Sequence, residues 1–256
     1  MIISHDVDGP EGAPAVVLLH SSVCDRRMWD PQWRPLVEAG YRVVRADFRS
    51  CGESPVGSAP YSDVGDVLDL LDHLGIGQAS LVGSSYGGRV ALGVAWLRSE
   101  RVSALALLCP GRPGQVAGPQ MRAFGAAEDE LLEAGDLDGA AALNVRTWLG
   151  PDATEEVREL VGRMQRGNFE AGLTEGAVDF ELPEPEAVLS AVTARALVVS
   201  GAHDLPDFRR IVAEVAAGLP NARALDLPWA GHLPSLERPA EITALLREFL
   251  ADAAPA

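Results

Sequence analysis

The sequence predicts an α/β fold: a mostly parallel, doubly wound sheet interrupted by an inserted all-helical cap. Three observations predict it. Short apolar runs alternate with longer amphipathic ones along most of the 256 residues, the pattern of a parallel sheet flanked by helices. That rhythm breaks between Gly111 and Ala191, where helical periods dominate and no strand candidate appears. A Gly83-Ser84-Ser85-Tyr86-Gly87 turn sits where the apolar run Ala79-Ser80-Leu81-Val82 passes into a helix-like run, the strand–turn–helix context in which a G-x-S-x-G motif carries meaning.

The apolar runs at 2–7, 15–20, 41–47, 80–82, 102–109, 196–200 and 223–227 are the expected strands. Val16–Leu19 and Leu105–Leu108 are apolar on both faces, as a buried parallel strand requires. Amphipathic helices are expected at 29–39, 61–74, 86–97, 208–218 and 240–251. Within the interruption, helical periods run over 119–134, 137–149 and 153–166. Gly111-Arg112-Pro113-Gly114 opens this segment and Pro183-Glu184-Pro185 lies near its close. The expected organisation is therefore a core domain of residues 1–112 and 191–256, with a cap of 113–190 inserted after the strand ending at Cys109. Only one strand precedes the run at 15–20, so the sheet edge it forms needs protection against pairing.

Composition excludes several functions. The net charge of −16 argues against nucleic acid and anionic membranes as partners. All 21 basic residues are arginine, which removes lysine Schiff-base chemistry and P-loop nucleotide binding. No apolar run reaches the roughly 18–20 residues that span a bilayer. The first residues, Met1-Ile2-Ile3-Ser4-His5-Asp6, lack a basic region and a long apolar stretch, so the expected location is cytoplasmic. Cys24, Cys51 and Cys109 are odd in number and show no metal spacing; they read as packing residues, Cys109 as a buried one.

Ser85 is the candidate nucleophile, because Gly83 and Gly87 bracket it and a β-carbon at either flank would crowd the bend. A serine hydroxyl needs a base, and the base needs an orienting carboxylate. Of five histidines, His232 lies in the turn-rich loop Pro228-Trp229-Ala230-Gly231-His232-Leu233-Pro234 after an apolar run. Asp204 lies directly after the β-branched run that ends in Val198-Val199-Ser200. Asp207, at a helix start, and Asp226, inside an apolar stretch, are rival carboxylates. His5 and His73 read as surface residues, and His203 as a loop histidine. Tyr86, directly after the nucleophile and opening a helix, is expected to offer its backbone N–H to an oxyanion.

The order Ser85, Asp204, His232 and four further segments resemble the α/β-hydrolase superfamily nearly end to end. Val16-Val17-Leu18-Leu19-His20 resembles the strand that enters its oxyanion loop. Asp47-Phe48-Arg49-Ser50-Cys51-Gly52-Glu53-Ser54 resembles its D-x-R-G-x-G-x-S segment, Gly201-Ala202-His203-Asp204 its acid loop, and Gly231-His232 its histidine loop. The resemblance implies that His20 is structural and that the backbone N–H of Ser22 is the second oxyanion donor. Ser21 stands where relatives usually have glycine, and the Ser22 hydroxyl could donate as well. A serine nucleophile disfavours the dehalogenase, epoxide hydrolase and dienelactone hydrolase relatives; the missing lysine disfavours lysine-using hydroxynitrile lyases.

The expected reaction is hydrolysis of a small, largely neutral carboxylic ester or lactone through an acyl-enzyme on Ser85, without cofactor or metal. Thioesterases, carbon–carbon bond hydrolases and perhydrolases share the triad and stay open. So does a non-catalytic ligand-binding relative, as does the choice between monomer and homodimer. Trp29, Tyr86, Met121, Phe124, Trp148 and Met164 are candidates for the pocket wall, and Arg146 for a substrate carboxylate.

Overall fold

The computed structural model of the protein describes residues 1–57, 60–173 and 189–252. Seven strands form one sheet: β1 (His5–Asp8), β2 (Ala15–Leu19), β3 (Arg42–Ala46), β4 (Ala79–Ser84), β5 (Val102–Leu108), β6 (Arg195–Gly201) and β7 (Ala222–Leu227). Their spatial order is β1-β3-β2-β4-β5-β6-β7. Only β1 runs antiparallel, pairing His5 with Ala46 through Asp8 with Val43; every other ladder is parallel. β2, β4 and β5 are almost wholly buried, which accounts for their unbroken apolar sequences.

The helices are α1 (Asp30–Glu38), α2 (Asp63–His73), α3 (Tyr86–Leu97), α4 (Pro119–Glu133), α5 (Leu137–Trp148), α6 (Glu155–Gly172), α7 (Pro206–Gly218), α8 (Pro234–Glu237) and α9 (Pro239–Ala251). The chain leaves β2 toward β3 on one side and leaves β4 toward β5 on the other. Right-handed crossovers therefore put α1 and α3 on opposite faces. α9 packs on α1, α2 on α3, and α7 on β6 and β7. The chain reverses direction between β2 and β4, and the crevice at the carboxyl ends of such a pair is where open α/β sheets bind ligands.

Helices α4, α5 and α6 follow β5 and pack on one another, as the interruption in the alternating pattern predicts. Among the described residues between β5 and β6 there is no strand. The Pro183-Glu184-Pro185 boundary lies outside the described residues. α6 extends to Gly172, well past the sequence-derived end at 166. The Thr154 hydroxyl caps its start by accepting from the Val157 N–H.

Two local differences have clear causes. The first strand starts at His5 instead of Ile2, because the Ser4 N–H is taken by Ser54 Oγ at 2.8 Å and Ile3 turns into the core. A 3₁₀ turn over Arg26–Trp29 precedes α1, which starts at Asp30 with a proline next in line. The β1 edge is four residues long, and its Asp6 is held by Arg26 and Arg45. A short, charged edge of this kind resists strand addition. No helix among the described residues is long and apolar enough to cross a membrane.

Candidate active site

The turn from β4 into α3 places Ser85 at φ +50° and ψ −111°, a conformation that costs a non-glycine residue roughly 1–3 kcal/mol. Three backbone bonds hold it there. The Ser85 N–H donates to Leu108 O at the end of β5, and the Ser85 carbonyl accepts from Arg89 and Gly111. Gly83 and Gly87 are required by contact: a Cβ on Gly83 would lie 2.4 Å from Gly87 O, and one on Gly87 would lie 2.2 Å from Leu19 O. The Gly87 N–H donates to His20 O, which fastens the serine turn to the loop after β2. Tyr86 opens α3, so its N–H belongs to the positive end of the helix.

The loop after β2 is organised from within. His20 is fully buried; its Nδ1–H donates to Ser21 O at 2.8 Å and its Nε2 accepts from the Phe48 N–H at 2.9 Å. Burial lowers its pKa, so it stays neutral in one tautomer, a scaffold and not a base. Asp47, also fully buried, accepts from the backbone N–H groups of Arg26 and Glu53 and from the Arg26 guanidinium. Gly52 has φ +53°, and a Cβ there would strike the Asp47 carboxylate. Ser22 is exposed, and its carbonyl accepts from Asn168 of α6, which also donates to Cys24 O at 2.8 Å.

Asp204 and His232 meet. His232 Nδ1–H donates to Asp204 Oδ2 over 2.6 Å, with both side chains buried. The second Asp204 oxygen accepts from the Leu205 N–H at 2.7 Å, which fixes the carboxylate plane. The acid loop lies against the histidine loop with no room for a side chain: a Cβ on Gly201 would sit 2.0 Å from Gly231 O. Cys109, directly after β5, has φ +45° and points its thiol at Gly231 O. Since Ser85 bonds to Leu108, the residue before Cys109, all three predicted residues occupy the same end of the sheet.

Cys109, Asp204 and His232 offer one ligand atom each within 4.8 Å of one another, the spacing a metal ion would use. Burial and the charge of Asp204 push the Cys109 thiol well up, which disfavours the thiolate that would act as a nucleophile.

The pocket candidates separate. Trp148 and Phe208 flank the imidazole of His232, with ring centroids at 4.8 and 4.2 Å. Phe124 packs edge-on against Trp148 at 4.8 Å. The Trp148 indole donates to Asn144 Oδ1 at 2.8 Å, and Asn144 donates to Glu128. Trp29 and Met164 are fully buried in the hydrophobic core, Met121 partly so. Arg146 lines a groove on α5 and α6 whose walls include none of Ser85, Asp204 and His232. Asp207 is buried and accepts from the Gly118 N–H, which fastens the chain entering α4 to α7; Asp226 lies within β7. Sequence reasoning missed Phe208 and Glu237 as neighbours of the histidine. The signal for Phe208 was its place four residues after the acid; Glu237, five residues after the histidine, was hidden by the short helix α8.

Beneath the serine turn, the Tyr86 hydroxyl donates to Asp63 Oδ2 at 2.5 Å. Burial pushes the Asp63 carboxyl up to about 6, against the pull of the Tyr86 hydrogen bond and Arg49. The folded state then binds more protons than the unfolded chain between about pH 4 and 6. Stability from this group is complete below about pH 4 and is lost as pH rises through 6. Asp63→Asn should thus match the wild type in urea unfolding near pH 4 and exceed it near pH 8 by about 3 kcal/mol.

The chain belongs to the alpha/beta hydrolase family, whose model matches residues 16–245, and it is a hydrolytic enzyme of that class. It is 30% identical over 264 residues to the 2-hydroxy-6-oxononadienedioate/2-hydroxy-6-oxononatrienedioate hydrolase of Burkholderia vietnamiensis, covering 96% of this chain and 90% of that one. Among solved structures it resembles the enol-lactonase from Burkholderia xenovorans, with a TM-score of 0.80, 26% identity, and coverage of 97% and 96%. It also resembles Est816, described as an N-acyl homoserine lactone degrading enzyme, with a TM-score of 0.79, 26% identity and 96% coverage of each chain.

Proposed function

We propose that the protein hydrolyses a small, largely neutral carboxylic ester or lactone through an acyl-enzyme on Ser85, beneath a cap built on α4, α5 and α6. The observation that carries this reading is the 2.6 Å bond between His232 and Asp204 at the sheet end where Ser85 is held in a strained turn. With Nδ1 committed to Asp204, Nε2 is the nitrogen for proton transfer. Ser85 Oγ attacks the carbonyl carbon as His232 Nε2 takes its proton. The oxyanion so formed is met by the backbone N–H groups of Tyr86 and Ser22. The intermediate collapses, His232 returns the proton to the departing oxygen, and the alcohol leaves. Water then enters, loses a proton to His232 and attacks the acyl carbon; as the intermediate collapses, His232 returns that proton to Ser85 Oγ, freeing the acid and restoring Ser85. In a lactone the leaving alcohol stays tethered to the acyl group.

Similarity to an enol-lactonase and to an enzyme that degrades N-acyl homoserine lactones supports the ester and lactone class. The 30% identity to a carbon–carbon bond hydrolase favours one second reading, cleavage of a vinylogous diketone by the same residues. A panel of aryl acetates, homoserine lactones and vinylogous diketones, run beside fluorophosphonate labelling, separates them. Ester or lactone turnover with a label on Ser85 supports the first reading. Diketone turnover alone supports the second, and an unlabelled, inactive protein refutes both.

A further inference from the structure

Glu237 is a buried acid that the reaction above does not use. It ends α8, five residues beyond His232, and is 5% exposed. Its Oε2 accepts from the Gly231 N–H at 2.8 Å and its Oε1 from the Leu233 N–H at 3.2 Å, so one carboxylate grips the backbone on both sides of the histidine. The backbone of Gly150, in the turn that follows α5, lies close against the same carboxylate. Burial raises the Glu237 pKa and these N–H groups draw it back, as expected of an acid kept for its acceptor geometry.

The cap meets the same loop elsewhere. The His232 N–H donates to Trp148 O at 2.8 Å, and the Trp148 ring covers the imidazole. Backbone touches backbone at Gly150 and Gly231: a Cβ on Gly150 would lie 2.4 Å from Glu237 Oε2 and 2.6 Å from Gly231 N. On its other side Gly231 abuts Gly201 of the acid loop. Acid loop, histidine loop and cap turn are thus stacked at glycine contact distance, with the Glu237 carboxylate bonded to the histidine loop and packed against the cap turn.

We infer that Glu237 is a positioning residue that fastens the cap to the histidine loop and thereby holds His232 in register with Asp204 and Ser85. This rests on the proposed role of His232 as the base. Displacement of a catalytic group by about 1 Å can cost about 10²-fold in rate. Glu237→Gln keeps the shape but turns an amide N–H₂ toward backbone N–H donors. It should lower kcat for an aryl acetate by about 10²-fold with KM unchanged. Fluorophosphonate labelling of Ser85 should slow in step, and the downfield proton resonance of the His232–Asp204 bond should shift or broaden. Gly150→Ala, which leaves the carboxylate intact and pushes the cap turn away, should give the same kcat loss; it decides the matter if Glu237→Gln does not fold. Wild-type kcat and labelling in the folded variants, or a change in KM alone, would overturn the inference. A wild-type protein that fails to label at Ser85 would instead overturn the site assignment beneath it.

Discussion

Ser85→Ala should lower kcat/KM for an aryl acetate by about 10⁴–10⁶-fold and abolish fluorophosphonate labelling, while leaving thermal unfolding near that of the wild type. The size follows from the site. Among the described residues, no other hydroxyl combines a strained strand-to-helix turn, a helix N-terminus behind it and the acid–histidine pair at the same sheet end. Cys109, the nearest thiol to that pair, is kept protonated and cannot take over. Residual activity should reflect binding and oxyanion stabilisation alone. A variant that still labels at the wild-type rate would remove the nucleophile from position 85.

Asp204→Asn should cost about 10⁴-fold in kcat with little change in KM. The carboxamide can keep the bond from the Leu205 N–H and can turn its N–H₂ toward His232 Nδ1. That favours the tautomer with its proton on Nε2, which cannot accept from a serine hydroxyl. Asp207→Asn provides the contrast. Its carboxylate binds the Gly118 N–H and not the histidine, so kcat should stay near wild type while the start of α4 loosens. A steep loss in Asp207→Asn and none in Asp204→Asn would reverse the assignment of the acid.

Much of the fold was legible because parallel strands buried on both faces leave unbroken apolar runs, and Val16–Leu19 is such a run. α3 starts and ends where the periodicity puts it, at Tyr86 and Leu97. The pairing of Asp204 with His232 was legible because each residue follows a strand, and strand ends converge at one rim of a parallel sheet. What was not legible is what long-range backbone approach decides. Gly150 and Gly231 are 81 residues apart and read alone as ordinary turn glycines; only their contact explains why neither can carry a side chain. Phe208 read as the first turn of a helix, yet its ring lies on the imidazole. Trp29 read as a pocket aromatic and is enclosed in the core, because the 3₁₀ turn ahead of α1 rotates it inward. Such choices depend on which elements meet, and an amphipathic pattern records only that a face is buried.

The Asn168 amide bridging Ser22 O and Cys24 O, and the Trp148 carbonyl receiving the His232 N–H, have a practical consequence. Chimeras that exchange the helical insertion for that of a relative would remove hydrogen-bonding partners from the loops after β2 and β7 at once. A transplanted insertion should restore turnover only if it brings its own amide donor for the first loop and a tryptophan–glycine bend for the second. Retargeting by single substitutions along the inner face of the native insertion would avoid that penalty.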